Sequence, residues 1–231
     1  MENEDLLFFQ ILDEKKECGA IFFNEALVDV FKPGEMTHTW SYIPHVDNLP
    51  IEYANIWALG ATLDQVCPEE LKEEWKRIND KAKSFLISFE IAKINLADVC
   101  LFDLLPESFL LEFYNLRNQI TKSVFEKFTK PKNYDFLTDL ACLLYNIKTR
   151  KLDLKFENLD FTSQGVRNSF GKIKEISPYI NYNPWGTTTG RLATVPESFP
   201  ILNLNKELRP AICPNNDVFL EFDYNAAELR V

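Results

Sequence analysis

The feature that most constrains this chain is a block of three apolar stripes at helical spacing, set between prolines, over residues 69–151. Pro68-Glu69-Glu70 reads as a helix start, with proline in the first turn and carboxylates at the positive end of the dipole. Leu71, Trp75, Ile78, Ala82, Phe85 and Phe89 then recur at three- and four-residue steps, which lines one helix face. A second helix opens at Pro106-Glu107-Ser108, carries Phe109, Phe113, Leu116, Ile120, Val124 and Phe128, and is stopped by Pro131. A third carries Leu137, Leu140, Ala141, Leu144 and Ile147 and ends in Lys148, Arg150 and Lys151, cations that suit a helix C-terminus. Three amphipathic helices with short connections form a helical subdomain.

The flanks read differently. Over residues 1–66 short apolar runs alternate with turn residues. Gly19–Phe23 and Ala26–Phe31 have strand character, and Lys32-Pro33-Gly34 is a turn after them. A small β-rich or α/β module is expected over 1–68. After residue 151, Gly, Pro, Asn, Ser and Thr rise and helical periodicity fades. Asp217–Asp223 reads as a strand buried in a sheet, with a helix beginning at Tyr224. Because a central strand lacks cover so soon before Val231, the chain is expected to be incomplete as a functional unit.

Charge is unevenly placed. The formal net charge is −10, yet residues 1–70 hold 14 acids and 3 bases while 71–231 hold 21 acids and 22 bases. Residues 122–174 hold 11 bases against 6 acids. Salt screens distant charge beyond about 10 Å, so a basic patch can meet phosphates on an acidic protein. No run of 18 apolar residues suggests a membrane span, and the N-terminus is acidic where a signal peptide would be basic. Five scattered cysteines without a Cys-x-x-Cys pair read as buried thiols of a reducing compartment. His38 and His45, the only histidines, do not form a metal pair, and neither a P-loop nor a Gly-x-Gly-x-x-Gly is present.

Three short stretches carry the chemistry. Thr188-Thr189-Gly190-Arg191-Leu192 comes first, then Leu208-Arg209-Pro210-Ala211-Ile212, then Asp223-Tyr224-Asn225-Ala226-Ala227-Glu228-Leu229-Arg230. Asp223 at a strand tip suits a magnesium ligand, and the bland alternative is a helix N-cap. In this order and at this spacing the set resembles the family A DNA polymerases, the group of bacterial DNA polymerase I and many phage replicative enzymes. The close resemblance covers residues 179–231.

The resemblance implies an α+β fold. A thumb-like helical subdomain (69–151) is followed by the first part of an antiparallel palm sheet (152–231). It implies that Asp223 binds Mg2+, that the Tyr224 carbonyl completes a metal shell, and that Glu228 fills the space of a ribose 2′-OH and selects dNTPs. Asp223 and Glu228 are thus the expected catalytic pair, and Tyr224 and Glu228 the expected nucleotide contacts. Thr189, Gly190 and Arg191 would lie near the primer terminus, Arg209 would lead into the palm, and Lys127, Lys130 and Lys132 would track duplex phosphates. Arg230 matches a packing or ion-pair position. The partners implied are primer-template DNA, dNTPs, and a second chain or C-terminal region, in the cytoplasm (the host cell's if phage-encoded).

The chain also departs from the family. Asn225-Ala226-Ala227 stands for Ser-Gln-Ile, and Phe199-Pro200-Ile201-Leu202 replaces the Gln-Asn-Ile-Pro run. The fingers helix and the second palm carboxylate are absent from these residues, so the chain alone is expected to be inactive. A complete proofreading exonuclease does not fit into residues 1–68, which could be a remnant of one. A single-subunit RNA polymerase is disfavoured by Glu228. The competing readings are a non-catalytic DNA-binding or assembly subunit of a split polymerase and a globular protein with chance motif matches.

Overall fold

The computed structural model describes residues 7–12, 20–44, 49–96 and 99–221. They form a mixed α+β structure of long helices and small, mostly antiparallel sheets. The chain divides into two compact units, Met1–Cys142 and Leu143–Val231.

The first unit begins with β1 (Phe9–Ile11), β2 (Ile21–Phe23) and β3 (Ala26–Val28), an antiparallel sheet in that order. β2 and β3 join through Asn24 and Glu25, both at positive φ, with Phe23 paired to Ala26. Two consecutive left-handed residues give a tight hairpin whose twist matches the strands. Next come β4 (His38–Thr39) and β5 (Glu52–Tyr53), which pair in parallel. Two single-turn helices, α1 (Ala54–Trp57) and α2 (Leu63–Val66), follow, the latter closed by a Thr62–Gln65 capping box. A 3-10 turn, Glu69–Leu71, leads into α3 (Lys72–Ile91). Beyond it are α4 (Glu107–Lys127) and α5 (Tyr134–Thr149), the last helix running past Cys142 into the second unit's residues.

The helix α4 is the axis of the first unit. Phe109, Tyr114, Leu116 and Ile120 share a core with Trp75 and Ile78 of α3, with Leu12 just after β1 and with Phe22 of β2. Its last turn buries Val124 against Trp40, Ala54 and Ala58. The described residues before 68 therefore share their interior with the helices that follow. Tyr114 is fully buried, and its hydroxyl donates to the Leu12 carbonyl at 3.0 Å. Gln10, also buried, donates to Thr121 Oγ1 at 3.1 Å and to Asn118 Oδ1 at 3.3 Å. These bonds satisfy polar groups that would each cost about 1–3 kcal/mol if left unpaired.

The second unit is built from short pieces. β6 (Asp153–Leu154) pairs antiparallel with β9 (Ile212–Cys213), and β7 (Tyr182–Asn183) with β8 (Ala193–Thr194). Between β6 and β7 lies α6 (Gln164–Glu175), a helix where the sequence reading expected periodicity to fade. Gly165, Gly171, Asn168 and Ser169 lower its propensity. It forms because Val166 and Ile173 bury against Leu159, Phe199, Leu204 and Leu208. Ser163 caps it, accepting from the Val166 N–H and donating to Glu207 Oε2 at 2.7 Å, which sets a carboxylate at the helix N-terminus.

Two expectations are corrected. The stretch Val218–Leu220 has no strand partner among the described residues and is 67%, 63% and 77% exposed at its three positions, rather than buried in a sheet. Its apolar composition predicts burial, but burial requires a neighbouring strand, and β9 ends at Cys213. Second, the cysteines are not all thiols, because Cys100 is disulfide-bonded while Cys67, Cys142 and Cys213 are not. Wide spacing in sequence does not forbid a bond made by the tertiary fold.

Candidate functional site

The Thr-Gly-Arg stretch lies in the loop 184–192 that joins β7 to β8. Asn183 pairs with Ala193 at its base. Asn183 Oδ1 accepts the Trp185 N–H at 2.9 Å, an Asx turn that starts the loop. A Cβ on Gly186 would sit 2.7 Å from the Ala193 Cβ, so only glycine fits there without movement. Thr187 Oγ1 donates to the Arg191 carbonyl at 2.7 Å and closes the far side. Gly190 turns at φ +71° with open space around it, a conformation that costs other residues about 1–2 kcal/mol. Thr189, Gly190 and Arg191 are all exposed. Arg191 is thus an exposed residue on a backbone fixed by the loop's own hydrogen bonds.

Arg209 belongs to the same unit. It lies in a 3-10 helix, Lys206–Ala211, started by Asn205, whose side chain accepts the Glu207 N–H at 3.2 Å. Leu208 and Ala211 are buried and Arg209 is exposed. Asp223, Tyr224 and Glu228 lie outside the described residues, as do His45, Cys18 and Arg230. Among the described residues no group of three His, Cys, Asp or Glu side chains could hold a metal.

The three lysines read as duplex contacts lie in the first unit and differ from one another. Lys127 ends α4, where its charge also suits the helix dipole. Lys132 is exposed on the α4–α5 connection, with no ion pair among the described residues. Lys130 is committed: its ammonium lies 2.5 Å from Glu52 Oε1 and 4.4 Å from the centre of the Tyr134 ring. Tyr134 accepts the Tyr53 N–H at 2.8 Å, and burial pushes its phenol up to about 12. The neighbouring His38 ring packs on Phe125 and Phe8 and shares a 2.7 Å bond between Nδ1 and Thr37 Oγ1. Burial lowers its pKa; Glu52 pulls against that shift and Lys130 adds to it. Glu52, Lys130, Tyr134 and His38 thus form one cluster that ties β5 to the start of α5.

No family model, no curated protein and no solved structure matches the chain. The geometry therefore stands by itself.

Two features escaped the sequence reading. A cleft of about 510 Å³ in the second unit is lined by Leu152, Leu154, Phe156 and Ile173, with Lys151 and Lys174 among its walls. It depends on the β6–β9 pairing and on α6, neither of which a local sequence pattern marks. The other is Trp185, which lies in the loop that carries Arg191. Its signal was the Asn-Pro-Trp-Gly turn immediately before the recognised stretch. Among the described residues no helix is long and apolar enough to cross a membrane.

Proposed function

We propose that this chain forms part of a DNA-directed DNA polymerase of the family A type, contributing DNA-contacting elements and the first palm carboxylate. The observation that carries the reading is the ordered set of Thr-Gly-Arg, Leu-Arg-Pro-Ala and Asp-Tyr followed by Glu-Leu-Arg. The exposure of Arg191 on a self-bonded hairpin loop supports it, because an exposed cation on an ordered loop can meet a duplex. The exposure of Arg209 agrees.

In this reading Asp223 and the Tyr224 carbonyl are the Mg2+ ligands, and Glu228 excludes a ribose 2′-OH. Bound metal would supply activation of the primer hydroxyl and stabilisation of the leaving pyrophosphate. The second carboxylate and the fingers helix come from outside residues 1–231, so template-directed dNTP addition needs that supplement.

The test is primer extension with Mg2+ and dNTPs. Residues 1–231 alone are expected to extend nothing. Adding a segment with an Arg-x-x-x-Lys helix and a His-Asp-Glu strand is expected to restore extension, and Asp223→Asn to abolish it again. If duplex binding persists but no supplement restores synthesis, the chain is a non-catalytic DNA-binding subunit.

A further inference from the structure

The chain has four tryptophans. Trp40 and Trp75 are buried and Trp57 is half-buried, whereas Trp185 is 36% exposed. A single exposed aromatic is ordinary on a protein surface, so exposure alone decides nothing here. What distinguishes Trp185 is how it is held and what surrounds it in sequence. Pro184 fixes the backbone before it, the Asn183 side chain holds its N–H, and Gly186 presses against Ala193 after it. The indole therefore sits on a backbone ordered before any ligand arrives, which removes part of the entropic cost of binding.

The charge pattern points the same way. Residues 176–196 contain Arg191 and no other charged residue, although the chain carries 35 acids. Within this 21-residue stretch, on a protein of net charge −10, the chain itself places no carboxylate to repel a phosphate. An indole face and a guanidinium on one acid-free loop match the two parts of a nucleotide, its base and its phosphate. A protein interface also favours Trp and Arg, and emission left unchanged by DNA would point to that partner and overturn the nucleotide reading. A bilayer would favour several apolar groups and more than one cation.

We infer that Trp185 is a stacking platform for an unpaired nucleobase of single-stranded DNA, with Arg191 taking an adjacent phosphate. This rests on the polymerase reading for its biological setting, since a template strand supplies such a base. It adds a base contact that the recognised stretches do not contain. Stacking reads no sequence, because every base has a π face.

The test uses the whole chain and a 16-nucleotide oligodeoxythymidylate at low salt, with two signals: tryptophan emission and the anisotropy of end-labelled DNA. DNA is expected to quench the emission of the native chain. Trp185→Phe is expected to keep most of the affinity and lose the quenching. Trp185→Ala is expected to weaken binding between about fivefold and a hundredfold. Arg191→Ala should reduce the salt slope by about 0.7.

Thermal unfolding of each variant checks that the exposed substitution leaves the fold intact; if the alanine variant unfolds, loss of quenching in Trp185→Phe still decides. Equal affinity of native and Trp185→Ala chains overturns the stacking role. So does quenching that survives in Trp185→Phe. If the stacking role fails while supplemented primer extension succeeds, the polymerase reading stands without it. If Trp185 is quenched and supplemented extension fails, the base-binding loop stands and the polymerase reading falls.

Discussion

The two units of this molecule solve the problem of stability in different ways. Up to Cys142, a 21-residue helix, α4, organises aromatic side chains around itself: Phe22, Phe102 and Phe113 all pack against the Tyr114 ring. From Leu143 onward the ladders are two residues long, and the interior is a modest aliphatic cluster around Phe199. Two-residue ladders bring few hydrogen bonds, so position there depends on turns and caps such as Ser163–Glu207 and Asn183–Trp185. Arg191 and Arg209 lie in the thinly built unit, whereas Lys127, Lys130 and Lys132 lie in the first. Function-bearing loops placed on small scaffolds are common, because a loop that must meet a ligand cannot also be packed inside.

Core truncation would break this contrast first. Tyr114→Ala removes a fully buried ring and its bond to Leu12, and is expected to cost about 4 kcal/mol. Phe199→Ala, equally well buried, is expected to cost about 3 kcal/mol, since a smaller cluster collapses more readily into the gap. Urea unfolding of both variants measures the pair; a costlier Phe199 change would reverse the ranking of the two interiors.

The loop supplies the next test. Gly186→Ala is expected to cost about 1–3 kcal/mol, because its methyl meets Ala193 at 2.7 Å. Gly190→Ala is expected to cost about 1 kcal/mol, from the left-handed backbone alone. Thermal melts separate them, and equal effects would mean that the Ala193 contact yields.

Charge reversal sharpens the comparison among lysines. Lys130→Glu sets a carboxylate against Glu52 and removes the cation from the Tyr134 ring, and is expected to cost about 1 kcal/mol of stability. Lys132→Glu is expected to leave stability unchanged and weaken duplex binding, with a salt slope about 0.9 shallower. DNA titrations at several salt concentrations, beside urea melts, read both.

The smallest effect is expected from pH. His38 titrates below its ordinary value of 6.5 in the folded chain because burial disfavours its charged form. The unfolded chain then binds the proton more readily, so stability is complete above about pH 6.5 and declines as pH falls toward the folded pKa. His38→Gln is expected to flatten that part of the stability curve, and melts between pH 5 and 8 would show it.

Legibility followed the strength of local signals. The Pro-Glu start and the stripe from Phe109 to Val124 placed α4 closely, because a long amphipathic period leaves little choice. Gly19–Phe23 and Ala26–Phe31 bracket β2 and β3, but the left-handed form of their connection had no local mark, since Asn24-Glu25 lacks the usual glycine. The helix α6 was obscured by its two glycines, and tertiary burial of Val166 and Ile173 overrode propensity. Lys130 was readable as a cation but not as a partner of Glu52, 78 residues away. Exposure of Arg191 followed from its Gly-Arg turn, whereas the ordering of Trp185 needed the Ala193 contact, which no local pattern contains.

The Glu52–Lys130 contact has a consequence for any anion that approaches this corner. A phosphate can take the Lys130 ammonium only by displacing Glu52 and pulling the cation off the phenol ring. The contact would be an exchange, so an arriving anion would leave an orphaned carboxylate beside the imidazole of His38 and raise that ring's appetite for a proton. Any such anion and a proton would then be taken up together at this spot, each making room for the other.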